Sequence, residues 1–325
     1  MTTKELNNKI EAIFPPKRNI KFKDMEDANI LFKNFKQSDK VNIIEKKILS
    51  INVLKSIITK IRQYLLKYLI KRNSLEYFYS QDQFHIRIAW GCMGNCSYCI
   101  IKKATEKFRS KPINECIEEF EKGLDKGYKN FVLDASDVGL YGADINSSFS
   151  ELLDRLTKKK GDYKISIREV HPRWIVKYVK ELGKIFKRNK ILIFDLSVQS
   201  MNKRILGQMR RYSNVEEIKN AFSSLRGASK NVFFTCQCII GFPTETWEEF
   251  QETLFFITNM DFNGGQIYLF SCKKGTDAEN IEPKIDEKEM IKRLEYSKKI
   301  LERSGFCVQY INREKPLGLD FIKKK

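Results

Sequence analysis

The sequence is poor in the residues that mark several classes of protein. It has only 7 prolines and 16 glycines in 325 residues, which excludes collagen-like and Pro/Gly-rich low-complexity chains. Its eight cysteines are too sparse for a disulfide scaffold, and lysines and an arginine interrupt the most apolar N-terminal stretch, Ile48–Ile70. The first residues lack the apolar run of a signal peptide. We therefore expect a cytoplasmic protein with reduced thiols and no membrane span.

Positive charge is abundant. The 60 Lys and Arg residues outnumber the 41 Asp and Glu residues, which gives a formal net charge of +19. Such a charge favours polyanionic partners such as RNA, DNA or anionic lipid. A lysine-rich genome would produce the same excess on every solvated face, and composition alone does not separate the two explanations.

Residues 1–80 differ from the rest of the chain. They contain no Cys, Trp or Gly, and they carry 17 Lys and Arg against eight Asp and Glu. Apolar residues recur every three or four positions over Val41–Lys71, which predicts an amphipathic helix or helix pair. We interpret residues 1–80 as a basic helical extension that either packs on the main domain or contacts an anionic substrate.

From Phe84 onward, apolar runs typical of strands alternate with helical periodicity. Strands are predicted at Phe84–Trp90, Phe131–Asp134, Lys164–Arg168, Ile191–Val198, Val232–Ile240 and Gln266–Phe270, each followed by one or two helices. Six strand–helix units in this order require parallel strands with crossover helices. The predicted fold is therefore α/β, a partial barrel of six units, in which chemistry belongs at the carboxyl ends of the strands.

Three cysteines directly follow the first predicted strand. Cys92, Cys96 and Cys99 have the spacing C-x3-C-x2-C in the segment Gly91–Cys99. Thiolates are soft ligands that suit iron–sulfur clusters or zinc. Zinc in a structural site needs a fourth ligand, and the neighbourhood offers none, because Cys116 falls on the apolar stripe of a predicted helix. The spacing favours a cluster with three protein ligands.

This spacing, in this loop, resembles the radical S-adenosylmethionine (SAM) superfamily, whose fold is a partial TIM-like barrel of six units. The resemblance implies a 4Fe–4S cluster held by Cys92, Cys96 and Cys99, with SAM bound at the fourth iron. It also implies reductive cleavage of SAM to a 5′-deoxyadenosyl radical, with electrons from an external donor. Tyr98 matches the aromatic residue that the superfamily places near the adenine of SAM.

Further segments resemble the tRNA methylthiotransferases, especially the threonylcarbamoyl-adenosine type. They occur in that family's order and cover about residues 84–276. The segments are the cluster loop with Arg109–Pro112, Asp134–Asp144, Phe149–Leu153, Val198–Ser200, Arg204–Leu206, Met209–Tyr212, Ile240–Thr246 and Ser271–Thr276. The resemblance implies a transferase that modifies a tRNA adenosine.

Most of these segments lie at predicted carboxyl ends of strands, where SAM would be contacted. We expect Asp134, Ser136 and Asp137 to accept hydrogen bonds from the methionyl amine or the ribose. Arg168 and Arg211 would pair with the methionyl carboxylate, and Gln199 and Ser200 would bond the nucleoside. Gly241 would permit close approach of the backbone.

The chain departs from complete methylthiotransferases in two respects. Residues 1–91 contain no cysteine, whereas that family has an N-terminal domain with three cysteines, and no C-terminal RNA-binding barrel is recognisable. A second cluster held by Cys236, Cys238 and Cys272 is a hypothesis, and packing of these small side chains is the alternative.

We thus expect a basic extension over residues 1–80, a catalytic partial barrel over 81–280, and a C-terminal helix and tail over 281–325. The expected substrate is RNA, with tRNA as the named candidate, bound in part by the basic extension. Two alternatives stay open: radical SAM modification of a peptide or small metabolite without methylthiolation, and a non-catalytic iron–sulfur protein.

Overall fold

The structure is a computed structural model that describes residues 83–105, 107–312 and 317–324. The helix predicted over Val41–Lys71 and the extension of residues 1–80 lie outside these ranges. Among the described helices, none is both long and apolar enough to cross a membrane.

Strands and helices alternate along most of the described chain. The strands are β1 Gln83–Arg87, β2 Ala89–Trp90, β3 Arg109–Ser110, β4 Asn130–Asp134, β5 Lys164–Val170, β6 Ile191–Gln199, β7 Phe233–Ile240, β8 Gly264–Leu269, β9 Phe306–Ile311 and β10 Gly318–Lys323. The helices are α1 Ile101–Ala104, α2 Ile113–Asp125, α3 Phe149–Lys158, α4 Pro172–Lys177, α5 Val179–Phe186, α6 Lys203–Gln208, α7 Val215–Ala228, α8 Trp247–Asn259 and α9 Glu287–Arg303.

Eight of the strands form one sheet in the order β1-β4-β5-β6-β7-β8-β10-β9. The first six in this order are parallel to one another. They are the six strands that the sequence predicts, and their carboxyl ends lie at one edge of the sheet. The prediction of six strand–helix units is confirmed.

The hydrophobic core lies between the sheet and its covering helices. Phe120 of α2 packs on Phe131 of β4 with ring centroids 4.3 Å apart. Phe222 of α7 packs on Phe234 of β7 with centroids 5.1 Å apart. Phe131 and Phe234 thus lie on the faces of their strands that the helices cover.

Helix starts are set by side chains that accept hydrogen bonds from backbone N–H groups. Ser148 caps α3 in this way and Asn214 caps α7, while Thr246 and Glu249 form a reciprocal capping box at the start of α8. The three capped helices follow the carboxyl ends of parallel strands, where the functional residues are expected.

The last two strands were not predicted. The helix expected in residues 281–325 is present as α9, but β9 and β10 follow it, and β10 pairs antiparallel with β8. Three glycines make this pairing close: Gly264 and Gly265 lie opposite Ile322 and Phe321, and Gly318 lies opposite Tyr268. β9 and β10 have only six residues each and give little periodicity, so the sequence predicts only a tail there.

Polar residues line the sheet face that points away from the helices, which we call the inner face. Thr235 and Gln237 of β7 belong to it, whereas the alternating Cys236 and Cys238 are fully buried in the core.

A bulge in β5 changes what the inner face displays. Ile167 pairs with Phe194 and Val170 pairs with Leu196, so β5 has one more residue than β6 between these pairs. The extra residue puts Arg168 and Glu169 together between two core-facing residues.

Candidate active site

The cysteine loop begins where β2 ends. Gly91 has a φ of 68°, a left-handed conformation that glycine adopts without strain, and the chain turns there into the loop. The Gly94 N–H donates to Cys92 Sγ at 3.2 Å, and the Cys99 N–H donates to the Cys96 carbonyl at 3.1 Å. The loop therefore curls back on its own thiols, and Cys92, Cys96 and Cys99 line one cavity.

Two other strand-end connections hold this loop in place. The Ser97 N–H donates to the Met209 carbonyl at 3.1 Å, after α6. The Ala278 N–H donates to the Ser97 carbonyl at 2.9 Å, after β8. Both connections follow the carboxyl ends of parallel strands, so the cysteines lie at the edge of the sheet where the sequence placed the chemistry.

Arg211 joins the cysteine loop to β6. Its Nη1 lies 3.6 Å from Cys96 Sγ and 3.3 Å from the Tyr98 hydroxyl oxygen, and its Nη2 donates to the Ser197 carbonyl. Tyr98 also packs edge-on against Phe242, with ring centroids 6.4 Å apart. The predicted site residues Arg211 and Tyr98 are thus brought to the cysteines.

Burial changes the pKa values of several groups around the loop. It raises the pKa of the Cys92 thiol, and it raises that of Cys99 to about 11. Burial together with the positive charges of Arg211 and Arg173 lowers the pKa of His171 to about 2. His171 is therefore neutral, and its Nδ1 accepts the Arg173 N–H at the start of α4. Thiols that are protonated without metal release their protons when metal binds.

The residues predicted after β4 divide into bonded and exposed groups. Asp134 is buried and its Oδ2 lies 2.7 Å from His85 Nδ1. Ser136 is exposed. Asp137 accepts the Trp174 Nε1–H at 2.9 Å and the Gly139 N–H at 3.2 Å, and burial raises its pKa. Asp137 thus organises its own turn, and its contact with SAM stays a prediction.

The other residues predicted to contact SAM have separate partners and do not form one group. Arg168 donates to Gln83 Oε1 at 3.4 Å, and Ser200 is fully buried with its hydroxyl 3.3 Å from that of Thr253. Gln199, with a φ of 69°, ends β6. Gly241 has a φ of 78°, and a Cβ there would come within 2.6 Å of Met290 Cγ, so the close approach it permits is to Met290. Their contacts with SAM stay predictions.

Sequence reasoning missed a second polar group, on the inner face. The Asp195 carboxylate accepts Thr235 Oγ1–H at 2.6 Å and Gln237 Nε2–H at 2.7 Å. Glu169 accepts more loosely from Ser197 Oγ at 3.3 Å and from Gln237 Nε2 at 3.4 Å. The available signal was a carboxylate within a strand in each case, Asp195 in the mostly apolar Ile191–Gln199 and Glu169 in Lys164–Val170.

Several buried polar atoms near the loop have no hydrogen-bond partner within the described chain. They are Ser97 Oγ, Arg173 Nε, Gln199 Oε1 and Arg211 Nε. Buried polar atoms in proteins are normally satisfied, so such atoms indicate room for a polar ligand. Three soft donors on one loop, with arginine and lysine side chains around them, fit a negatively charged iron–sulfur cluster with an additional polar ligand.

The described residues contain no group of three His, Cys, Asp or Glu side chains arranged to hold a single metal ion. A cluster differs in that each thiolate binds a different iron atom. The proposed second set of ligands gains no support, because Cys236 and Cys238 are buried in the core while Cys272 is exposed.

Comparison with known proteins identifies the class. The family model of the radical SAM superfamily matches residues 86–257, and the chain belongs to this superfamily. Membership implies a 4Fe–4S cluster and SAM as cofactors. A radical SAM methyltransferase from Kitasatospora setae, solved with cobalamin and a 4Fe–4S cluster bound, has the same fold with a TM-score of 0.52. The two share 14% sequence identity over 71% of this chain and 42% of that one.

Within the superfamily, the chain is similar to methylthiotransferases. A probable threonylcarbamoyladenosine tRNA methylthiotransferase of Methanocaldococcus jannaschii is 34% identical over 71% of this chain and 53% of its own length. A ribosomal protein uS12 methylthiotransferase of Chlamydia pneumoniae is 33% identical over 68% of this chain and 48% of its own length. The chain thus spans about half the length of these relatives.

Proposed function

We propose that this protein cleaves SAM reductively and transfers a methylthio group, or carries out a closely related radical modification, on a tRNA adenosine. The observation that carries the proposal is the placement of Cys92, Cys96 and Cys99 around one cavity, with Arg211 against Cys96. When bound, the cluster and SAM supply the one-electron chemistry that generates a 5′-deoxyadenosyl radical.

The protein's own residues would bind the cluster, orient its ligand and shield the site from water. Cys92, Cys96 and Cys99 would hold three irons of the cluster as thiolates. Arg211 places a fixed positive charge beside Cys96, and its buried Nε is available to a carboxylate. Tyr98 and Phe242 form an apolar wall beside the loop, which excludes water from one side of the site.

The net charge of the chain and its similarity to a tRNA methylthiotransferase support an RNA substrate. The net charge of +19 favours a polyanion, and one of the two methylthiotransferase relatives described above is named for a tRNA nucleoside. The other relative is named for a ribosomal protein, so a protein acceptor is the competing outcome.

Anaerobic reconstitution of Cys96→Ala and of the unchanged protein tests the cluster and SAM cleavage. The unchanged protein should bind about four irons per chain and produce 5′-deoxyadenosine from SAM under dithionite. Cys96→Ala should lose most of the iron and all detectable 5′-deoxyadenosine, because only two thiol ligands remain.

The matched control is Cys307→Ala, which removes another partly exposed thiol, on β9. It should keep full iron and full SAM cleavage. Mass spectrometry of host tRNA with and without the gene then tests the substrate. Unchanged tRNA nucleosides together with intact SAM cleavage would reject the tRNA assignment and retain the radical SAM activity.

A further inference from the structure

A surface groove separates helix α8 from the start of α7 and from the residues that follow β6. The groove, which we call the α7–α8 groove, has a volume of about 520 Å³, and Met201, Val215 and Phe256 form its apolar part. Phe255 of α8 borders it and is 69% exposed, the largest exposed fraction among the large apolar side chains that the structure describes. An exposed aromatic ring beside an apolar groove is typical of a surface that another segment covers.

One side of α8 lies along the groove. The side chains concerned recur at the helical spacing of three, four and seven positions and are Glu248, Gln251, Glu252 and Phe255. Asn202 Nδ2 donates to Glu252 Oε2 at 3.0 Å and holds the connection after β6 against this helix. A stripe of this kind, two turns long, is the surface on which a second amphipathic helix packs when a helix binds in a groove.

Carboxylates outnumber lysines around the α7–α8 groove. Glu216, Glu248 and Glu252 line it together with Lys203 and Lys219. Lys219 forms an ion pair with Glu216 at 2.8 Å, so Lys203 is the remaining cation among the lining residues. In a chain with a net charge of +19, this surface is slightly negative. It therefore favours a basic ligand over a nucleic acid.

Residues 41–71 of the same chain have the complementary pattern. They contain seven Lys and Arg and a single Glu. The helical spacing predicted for them puts Leu54, Ile58 and Ile61 on one stripe, and it puts Lys55 and Arg62 beside that stripe. An amphipathic helix in a protein owes most of its stability to the packing of its apolar face, so this stripe needs a partner surface.

The length of the chain before β1 allows this segment to reach the groove. Eleven residues, 72–82, separate it from the start of β1 at Gln83. An extended chain spans about 3.3–3.6 Å per residue, so these residues bridge up to about 40 Å. That span is about twice the radius of gyration expected for a domain of about 240 residues. The segment is therefore not confined to the side of the sheet where β1 lies.

We propose that residues 41–71 dock in the α7–α8 groove of the same chain, with their apolar stripe on Phe255 and basic side chains beside Glu252. Lys60 and Lys67 fall on the opposite side of the helical projection and stay available to a polyanion. The groove shares no lining residue with the cavity of the cysteine loop, so docking does not depend on the chemistry of SAM.

Zero-length carbodiimide cross-linking of the full chain, reconstituted anaerobically, tests the contact. The reagent joins lysine amines to carboxylates that touch them, and mass spectrometry of the digest identifies each pair. Lys55 should be joined to Glu248 or Glu252. In an equal mixture of isotope-labelled and unlabelled protein, these links should occur only between peptides of the same isotope composition, because both partners belong to one chain.

A variant of the groove tests the apolar part of the contact. Phe255→Ala removes the exposed ring and leaves every lining charge in place. Backbone amides of residues 41–71 should exchange hydrogen about tenfold faster in this variant, because burial of an aromatic side chain contributes a factor of about ten or more to docking. The matched control is Leu317→Ala, which shortens another apolar side chain, 50% exposed, just before β10. Its exchange should equal that of the unchanged protein.

Each outcome supports or overturns the docking. Links within one chain, together with faster exchange in Phe255→Ala, support it. Links between labelled and unlabelled peptides assign the groove to the segment of a second copy and overturn the proposal, as do links of Lys55 to carboxylates outside the groove. Equal exchange in the unchanged protein and in Phe255→Ala also overturns it, provided that thermal unfolding and iron content show a folded variant. None of these results alters the proposed cleavage of SAM.

Discussion

Glu245 and Arg293 form an ion pair that is closed off from solvent. Glu245 Oε2 accepts Arg293 Nη1–H at 2.9 Å and the Gly241 N–H at 2.7 Å, and Glu245 is only 1% exposed. Burial raises the pKa of Glu245 to about 7 even though Arg293 opposes the shift. The pair ties the connection after β7, which carries Gly241, to helix α9.

This shift predicts a pH dependence of stability. Because the pKa of Glu245 is higher in the folded state than its usual 4.5, the folded state binds protons more tightly. The stabilisation is complete below pH 4.5 and is lost as the pH rises to about 7. The unfolding free energy of the unchanged protein, relative to Glu245→Gln, should therefore fall over this window by at most about 3 kcal/mol.

Urea unfolding at several pH values measures this difference. Glu248→Gln, which removes an exposed carboxylate from the start of α8, is the control and should show no such trend. A difference between the unchanged protein and Glu245→Gln that stays constant from pH 4.5 to 7 would contradict the assigned shift.

For single residues, the sequence predicts the position of a functional group along the chain but not its partners. Asp137 follows β4 by three residues, and its bond from the Gly139 N–H is local, but its bond from the Trp174 Nε1–H depends on where α4 packs. Arg211 was expected near SAM and lies against Cys96 and Tyr98, 115 and 113 positions away in the chain. A sequence motif indicates the type of group available, whereas packing determines which neighbour it binds.

Among the elements, the β9–β10 pair depends on very close packing against β8. A Cβ on Gly318 would lie 2.1 Å from the Ile267 carbonyl oxygen, so the two strands cannot keep their present separation with a side chain there. We expect Gly318→Ala to lower the unfolding free energy by about 1–3 kcal/mol.

Gly227→Ala provides the matched comparison, because a Cβ at that position in α7 meets no atom within 4 Å. This variant should be more stable than the unchanged protein by up to about 1 kcal/mol, since alanine favours helix. Equal stabilities of the two variants in chemical denaturation would show that β10 does not pack on β8 as described.

The types and the order of the helices and strands could largely be predicted from the sequence. Strands β4 to β8 follow clear apolar runs, and capping residues such as Ser148 and Thr246 mark helix starts. The bulge at Glu169 was not accessible, because the same residues could continue a regular strand. Bulges and antiparallel additions depend on the partner strand, which local periodicity does not contain.

On the scale of the whole molecule, the charge of +19 predicts how RNA binding responds to salt. Lysine and arginine side chains that neutralise phosphates release counterions, so affinity falls steeply as salt increases. Between 50 and 200 mM KCl, the affinity of the full chain for tRNA should fall by more than about tenfold.

Binding of SAM to the same protein is the internal control, since SAM has only a sulfonium, an ammonium and a carboxylate and releases few counterions. Its dissociation constant should change much less over the same range of salt. A tRNA affinity that is independent of salt would contradict binding through the basic surface.

The reversed direction of β10 limits how the sheet can grow. A further parallel crossover unit would have to pair with β8 on the side that β10 already occupies. The described sheet therefore ends as a crescent rather than a closed ring. Within the described residues, no strand closes the gap between β1 and β9, and such an open side would let one unit of a long polymer enter laterally while the remainder stays outside.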